Sequence, residues 1–312
     1  MPLNIQLSEL VDMESPDKVL KEALFILQLI DQDFNLGPIT SAFHKTVGLY
    51  KGEWPAYQAC NTEFHDLRHV TDTFLAMARL IHGAVVDGET FSQRQINLAL
   101  IATLLHDAGY IQKKDEHKGT GAQYTAQHVQ RSIAFLKHHG TEYGLSPEDS
   151  AEGRLMILCT DLAVNISTIE FPSHEVELLA KMLGTTDLLA QMADRTYLEK
   201  LLFLYYEFKE AGVGDYQNEL DLLHKTLGFY DFIAHRLEIT LGAAQRIMNS
   251  HFKIRWNIQA NLYQEAIERQ KKFLEKILGM PDHDPRLHLK RHGIVDKVRQ
   301  VYREKPKKDE TF

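Results

Sequence analysis

An all-α fold is what three features of this 312-residue sequence predict. Apolar residues recur at helical spacing nearly everywhere, start and stop signals bracket those stretches, and apolar–polar alternation of the strand type is almost absent. Near the start, Leu20, Leu24, Leu27 and Ile30 share a helical face. Ser92-Gln93-Arg94-Gln95 reads as a capping box opening a helix that runs to His106, with Gly109 as its terminator. Ser146 and Pro147 open a helix through Leu155, Met156 and Leu158 toward Asp161. Pro172-Ser173 begins another, which Gly184 is expected to stop. Thr196 to Glu210 is an amphipathic stretch ending near Gly212, and Ile254 to Leu278 reads as one long helix stopped by Gly279 and Pro281. There is no internal repeat. The expected organisation is an N-terminal helical segment packing on the core (1–48), a central core (49–250), and a C-terminal long helix with a basic tail (251–312).

With 44% hydrophobic residues the chain can bury a sizeable core. No apolar run approaches the length of a bilayer span, and Met1-Pro2-Leu3-Asn4 lacks the basic-then-apolar pattern of a signal peptide. Cys60 and Cys159 form no metal or redox motif, so a reduced, cytoplasmic setting without membrane contact is expected. A net charge of −8 argues against nucleic acid as a partner of the whole surface. It leaves room for an anionic small molecule, because a bound cation can dominate the local field. The basic tail from Arg286 to Lys308 reads as a solvated segment or a helix packed on the core.

The chemistry concentrates at His106-Asp107, which follows the apolar run Leu98 to Leu105. A buried charge without a partner costs several kcal/mol in practice, and a bound cation offsets that. At a helix end both side chains can converge on one ion, and imidazole with carboxylate suits a divalent metal. Upstream, Phe64-His65-Asp66-Leu67-Arg68-His69-Val70-Thr71-Asp72 places His65 and His69 four apart, which on a helix is one face. One imidazole could then bind metal while the other reaches a substrate. His69, His106 and Asp107 make a three-ligand set. Asp161 and Asp187, each beside an apolar helical stretch, are candidates for a further oxygen ligand, and spacing alone does not choose between them.

In these residues the chain resembles the HD metallophosphohydrolase superfamily, and within it the catalytic domain of class I cyclic-nucleotide phosphodiesterases. The aromatic-His-Asn-x-x-His-x-x-Asp signature is similar to the segment Phe64 to Asp72, and the family's His-Asp pair to His106-Asp107. Cys159-Thr160-Asp161-Leu162 and Thr185-Thr186-Asp187-Leu188 resemble its two later acidic segments. Glu207-Phe208, Gly214-Asp215 and the run Gly228 to Leu237 follow in the family's order, so the resemblance covers roughly residues 50 to 245. It implies a helical bundle of that family and favours Asp187 over Asp161 as the last ligand.

The resemblance further implies one or two divalent ions (Mg, Mn, Zn or Fe) held by His69, His106, Asp107 and Asp187, with Asp107 bridging to the second. His65 is then the general acid that protonates the leaving alkoxide. The implied activity is phosphodiester hydrolysis of a cyclic nucleotide or a related small phosphoester. Rival readings are a nucleotide phosphomonoesterase and a di-iron oxygenase. A homodimer is compatible with the sequence.

Several positions depart from the family. Its His-Asp-x-x-His ends here in Tyr110, which either reaches a substrate phosphate or caps the helix. Its purine-binding glutamine falls at Thr226, whereas its aromatic clamp is kept as Phe229. Its signature asparagine is Asp66. The glutamate supporting its general acid is missing from the helix that holds His128, and Glu116 is the candidate substitute. Asp66, Asp72, Glu116, His128 and Asp161 are therefore expected around the ligands, His128 as an extra ligand for a second ion.

Overall fold

The computed structural model describes residues 5–281 and 283–302. Among these there are thirteen α-helices and no strand, apart from an isolated bridge between Tyr57 and Lys113. The helices are α1 (Leu7–Leu10), α2 (Pro16–Ile30), α3 (Gly37–Tyr50), α4 (Leu67–Val86), α5 (Gln93–Leu105), α6 (His128–His139) and α7 (Pro147–Leu158). They continue with α8 (His174–Ala193), α9 (Tyr197–Ala211), α10 (Glu219–His235), α11 (Met248–Trp256), α12 (Leu262–Leu278) and α13 (Ile294–Tyr302).

Helix α4 is the axis. It is buried from His69 to Ala84, and α2, α5, α8 and α11 pack around it. A helix with apolar or small residues on every side has no solvent face, so it settles in the middle of a bundle. Buried residues from Val19 in α2 to Val298 in α13 join one hydrophobic core. The boundaries drawn at 48/49 and 250/251 fall inside α3 and α11, whose packing is continuous across them.

Helix α5 begins with the anticipated capping box: the Gln95 amide donates to Ser92 Oγ at 3.2 Å, and the Ser92 amide donates to Gln95 Oε1 at 2.9 Å. Its end differs from expectation. The helix gives way at His106 and Asp107 to a short 3-10 turn, Ala108–Tyr110, that contains Gly109. Gly109 does not have the positive φ of a terminating glycine. It is there because α6 passes so close: a Cβ at Gly109 would lie 2.0 Å from the His128 carbonyl oxygen and 2.9 Å from Arg131 Cβ. Gly109→Ala is expected to push α6 away and destabilise the fold by about 1–3 kcal/mol. Chemical denaturation checks this, and an unchanged midpoint would mean that α6 is not held at this spacing.

Two further expectations are corrected. Gly184 does not stop a helix. α8 runs through it to Ala193, and the missing Cβ admits the Cys159 carbonyl, which would sit 2.5 Å from it. The stretch from Ile254 to Leu278 is two helices. Asn257 adopts a left-handed conformation (φ 54°) that ends α11, and Asn261 accepts from the Tyr263 amide at 3.1 Å to open α12. Asparagine serves both roles because its short amide satisfies free backbone groups at helix ends.

At the C-terminus α13 packs on α9, and the Tyr302 ring stacks on Tyr206 at 3.9 Å. The rest of the basic tail lies outside the described residues. No helix among those described is long and apolar enough to cross a membrane.

Candidate metal centre

Two helices and the end of a third bring four ligand candidates together. His69 lies in the first turn of α4, which starts where it does because Asp66 caps it: Asp66 Oδ1 accepts from the His69 amide at 2.8 Å. Lys200 of α9 holds the other Asp66 oxygen at 3.1 Å, tying this helix start to α9. His65 therefore precedes the helix. It does not share a helical face with His69, and their rings instead stand 6.1 Å apart across the bend at the cap. His106 and Asp107 occupy the end of α5, where the change from α-helix to 3-10 turn lets consecutive side chains converge. Asp187 projects from the middle of α8.

The distances from the two imidazoles are similar. His69 Nε2 lies 3.2 Å from His106 Nε2, 3.3 Å from Asp107 Oδ2 and 3.1 Å from Asp187 Oδ1. His106 Nε2 lies 3.5 Å from each of the same carboxylate oxygens. Neighbouring ligand atoms around an ion with bonds of ~2.1 Å stand about 3.0 Å apart in an octahedron and about 3.4 Å apart in a tetrahedron.

Hydrogen bonding favours a cation in the middle. His106 Nδ1 lies 2.7 Å from the Thr103 carbonyl and donates to it, which turns the Nε2 lone pair inward. Asp107 Oδ2 is buried and has no hydrogen-bond partner. Burial opposes a charge on His69, yet Asp107 and Asp187 carry its pKa up to about 10. Burial likewise raises both carboxyl groups, but His106 and His69 hold them well below the usual carboxylate range. One buried and one partly buried carboxylate thus draw in positive charge, and a divalent ion meets that demand more fully than a shared proton. His69, His106 and Asp107 form a buried group whose donor atoms fit a divalent cation, with Asp187 beside both imidazoles.

His128 approaches from the other side of Asp107. Its Nδ1 donates to the Thr125 carbonyl at 2.6 Å, and its Nε2 lies 3.7 Å from Asp107 Oδ1. Burial lowers its pKa, so the ring is neutral near pH 7 with a lone pair toward Asp107. Tyr110 is sandwiched between His65 and His128, with ring centroids 4.3 and 4.7 Å away. It is buried within the 3-10 turn and spaces these two histidines.

The carboxylate supporting His65 is one the sequence reading missed. Glu207, buried on α9, accepts from the Glu63 and Phe64 amides through Oε1 at 2.9 and 2.8 Å and from His65 Nδ1 through Oε2 at 2.8 Å. It fixes both the backbone approach and the ring, leaving Nε2 for the cavity. Glu116 does not substitute. It pairs with Arg131 through both oxygens at 3.1 Å; burial pushes its carboxyl up, but these contacts, with the Lys113 amide, hold it below the ordinary carboxylate value. A signal for Glu207 was present, since a carboxylate between Tyr205 and Phe208 on an amphipathic helix needs a buried partner. Which partner depended on tertiary contact. Glu207→Gln is expected to lower turnover of any ester cleaved here about 10–100-fold with bound metal unchanged. Steady-state rates beside metal content check it, and equal rates would remove Glu207 from the site.

The remaining candidates sit around this group. Asp161 follows α7 and caps its own turn, accepting from the Ala163 amide at 2.8 Å. Asp72 is buried and stands 3.7 Å from Arg68; burial and the neighbouring Asp194 push its carboxyl up to about 8. Thr226 donates its hydroxyl to the Leu222 carbonyl at 2.8 Å, as a buried helical threonine does, so it offers a base at most a lone pair.

A cavity of about 490 Å³ opens beside the group. His65, His128, Tyr110 and Asp187 form one end, Asp161 lies on its wall, and Thr226 and Phe229 line the side contributed by α10. No curated protein matches the chain. A family model described as Npun_R2479-like matches residues 53–268, a stretch that contains every residue of the group and well over half of the sequence. The chain belongs to the Npun_R2479-like family.

Proposed function

We propose that this protein is a metal-dependent phosphoric ester hydrolase acting on a small phosphoester. The observation that carries the reading is one juxtaposition. The imidazoles of His69 and His106 lie 3.1–3.5 Å from each other and from oxygens of Asp107 and Asp187, and a histidine held by a carboxylate lines the cavity that Asp187 also lines. The order of motifs shared with the phosphodiesterases adds to it.

His69, His106, Asp107 and Asp187 would hold the ion. When bound, it would lower the pKa of a coordinated water and neutralise phosphate oxygens. The protein's own part is orientation and proton movement. His106 is kept in one tautomer by Thr103. His65, whose Nδ1–H donates to Glu207, presents Nε2 to the cavity and, as the imidazolium, gives its Nε2 proton to the departing alkoxide. Phe64 and Leu188 close the walls beside the ligands and limit access of bulk water.

The test is metal analysis of purified protein beside a screen of cyclic nucleotides, nucleoside monophosphates and model diesters. A monophosphate released from a cyclic ester supports a diesterase, and inorganic phosphate released from a monoester supports the monoesterase. Absence of turnover on all classes with the ion bound overturns the reading. His128 favours a second possibility, because it adds an imidazole on the far side of Asp107, where a second ion would stand. Iron in the purified protein, with oxygen uptake, would support that di-iron oxygenase instead.

A further inference from the structure

The cavity is two-sided in a way that narrows the substrate. His65, His128 and Asp187 stand at one end of it, and Asp161 lies on the wall. The walls contributed by α9 and α10 are mainly apolar: Leu201, Leu204, Phe208, Leu222 and Phe229 line them, beside Tyr197, Lys225 and Thr226. The Phe208 ring is itself stacked on Tyr216 at 5.6 Å, so this wall is aromatic and rigid. Little there could read the edge of a nucleobase. Thr226 has given its hydroxyl to Leu222. Of the two amides lining the cavity, Gln130 is exposed, and Gln191 follows Asp187 by one helical turn and so stands at the metal end.

Charge tells against more than one phosphate. Among the lining residues there is no arginine and one lysine, Lys225, which is exposed and committed to Asp221 at 3.0 Å. Asp161 adds a carboxylate to the wall. A second phosphoryl group would leave the ion's reach, find no free cation and meet an acid. The apolar character also continues outward. Leu162 on the cavity wall is 40% exposed, and Phe232, 47% exposed, stands with its ring 6.1 Å from Phe229. Exposed apolar side chains continuous with a pocket mark a ligand surface more readily than scattered ones do.

We infer that the ester taken by this site carries a single phosphoryl group on an apolar alkyl or aryl body, which lies against Leu204, Phe208, Leu222 and Phe229. This rests on the phosphohydrolase reading above. The phosphoryl group meets the ion end and His65, and the body leaves past Phe229 toward Leu162 and Phe232. Nucleotides are then poor ligands, since their polar base would lose water against a wall that returns few hydrogen bonds.

The experiment is calorimetric titration of the manganese-loaded protein with phosphonates, whose C–P bond resists hydrolysis. Methylphosphonate, hexylphosphonate, a nucleoside phosphonate and a methylene-bridged diphosphonate form the series. Burying ~100 Å² of hexyl chain corresponds to binding roughly 50-fold tighter than methylphosphonate. The nucleoside phosphonate should bind more weakly than hexylphosphonate, and the diphosphonate more weakly still. Phe229→Ser should cut the hexyl-to-methyl ratio roughly fivefold while leaving methylphosphonate unchanged. Equal affinity for methyl and hexyl, a nucleoside phosphonate that binds tighter than hexyl, or a ratio untouched by Phe229→Ser overturns the apolar-body inference and leaves the hydrolase reading standing. Failure of every phosphonate, methylphosphonate included, removes both.

Discussion

His65→Ala is expected to lose about 10²–10⁴ in turnover while retaining metal and fold. The position predicts this separation. His65 lies outside the four-ligand group, before the α4 cap, and its Nδ1 is taken by Glu207. Deleting its ring removes the proposed proton donor but none of the candidate ligand atoms. The fold should tolerate the change, because Glu207 keeps two backbone partners at Glu63 and Phe64. Metal content by elemental analysis and the metal-induced rise in unfolding midpoint should therefore match the parent. A parallel loss in Glu207→Gln, smaller in size, would identify the two as one unit. Full turnover in His65→Ala would assign the proton transfer to another group.

Asp107→Ala is expected to abolish ion binding. Asp107 is nearly fully buried, and its Oδ2 reaches both imidazoles of the group. Its Oδ1 faces His128. No neighbouring side chain is placed to supply both oxygens. Ligand binding to the folded state stabilises by about 2.7 kcal/mol when the ion is present at 100 times its dissociation constant. The parent should show an increase of that order on adding manganese or zinc, and Asp107→Ala should show none. The contrast with His65→Ala makes the pair informative, since one variant keeps the metal-dependent shift without turnover and the other loses both. A shift of parental size in Asp107→Ala would mean that the ion is held elsewhere.

How much of this was legible beforehand can be followed residue by residue. The capping box at Ser92 is a local device, written in four consecutive residues, and it forms as read. His106-Asp107 stood out for an equally local reason, a carboxylate and an imidazole directly behind an apolar run. The glycines were harder. Gly109 and Gly184 carry the composition of helix stops, but each is present to admit a carbonyl from another part of the chain, and nothing near them in sequence says so. Asn257 and Asn261 were passed over because the apolar spacing continues across them, though two asparagines within five positions carry the information needed to break a helix. His65 and His69 looked like neighbours on a helical face. The Asp66 cap instead starts the helix between them, and its geometry could be read only with the backbone in place.

The amino-acid sequence alone settled the helical class, because periodicity and capping act over a few residues and need no partner. It also singled out His106 and Asp107 as side chains that are costly to bury alone and set His69 beside them, whereas Asp187 was preferred to Asp161 only through the resemblance. Tertiary structure decided which of them meet and what supports them. Glu207 lies 142 positions from His65 and Asp187 lies 118 from His69, yet each pair is within 3.1 Å. Contacts at such separations are fixed by how α4, α5, α8 and α9 pack against one another, a property of the whole core that no local pattern encodes.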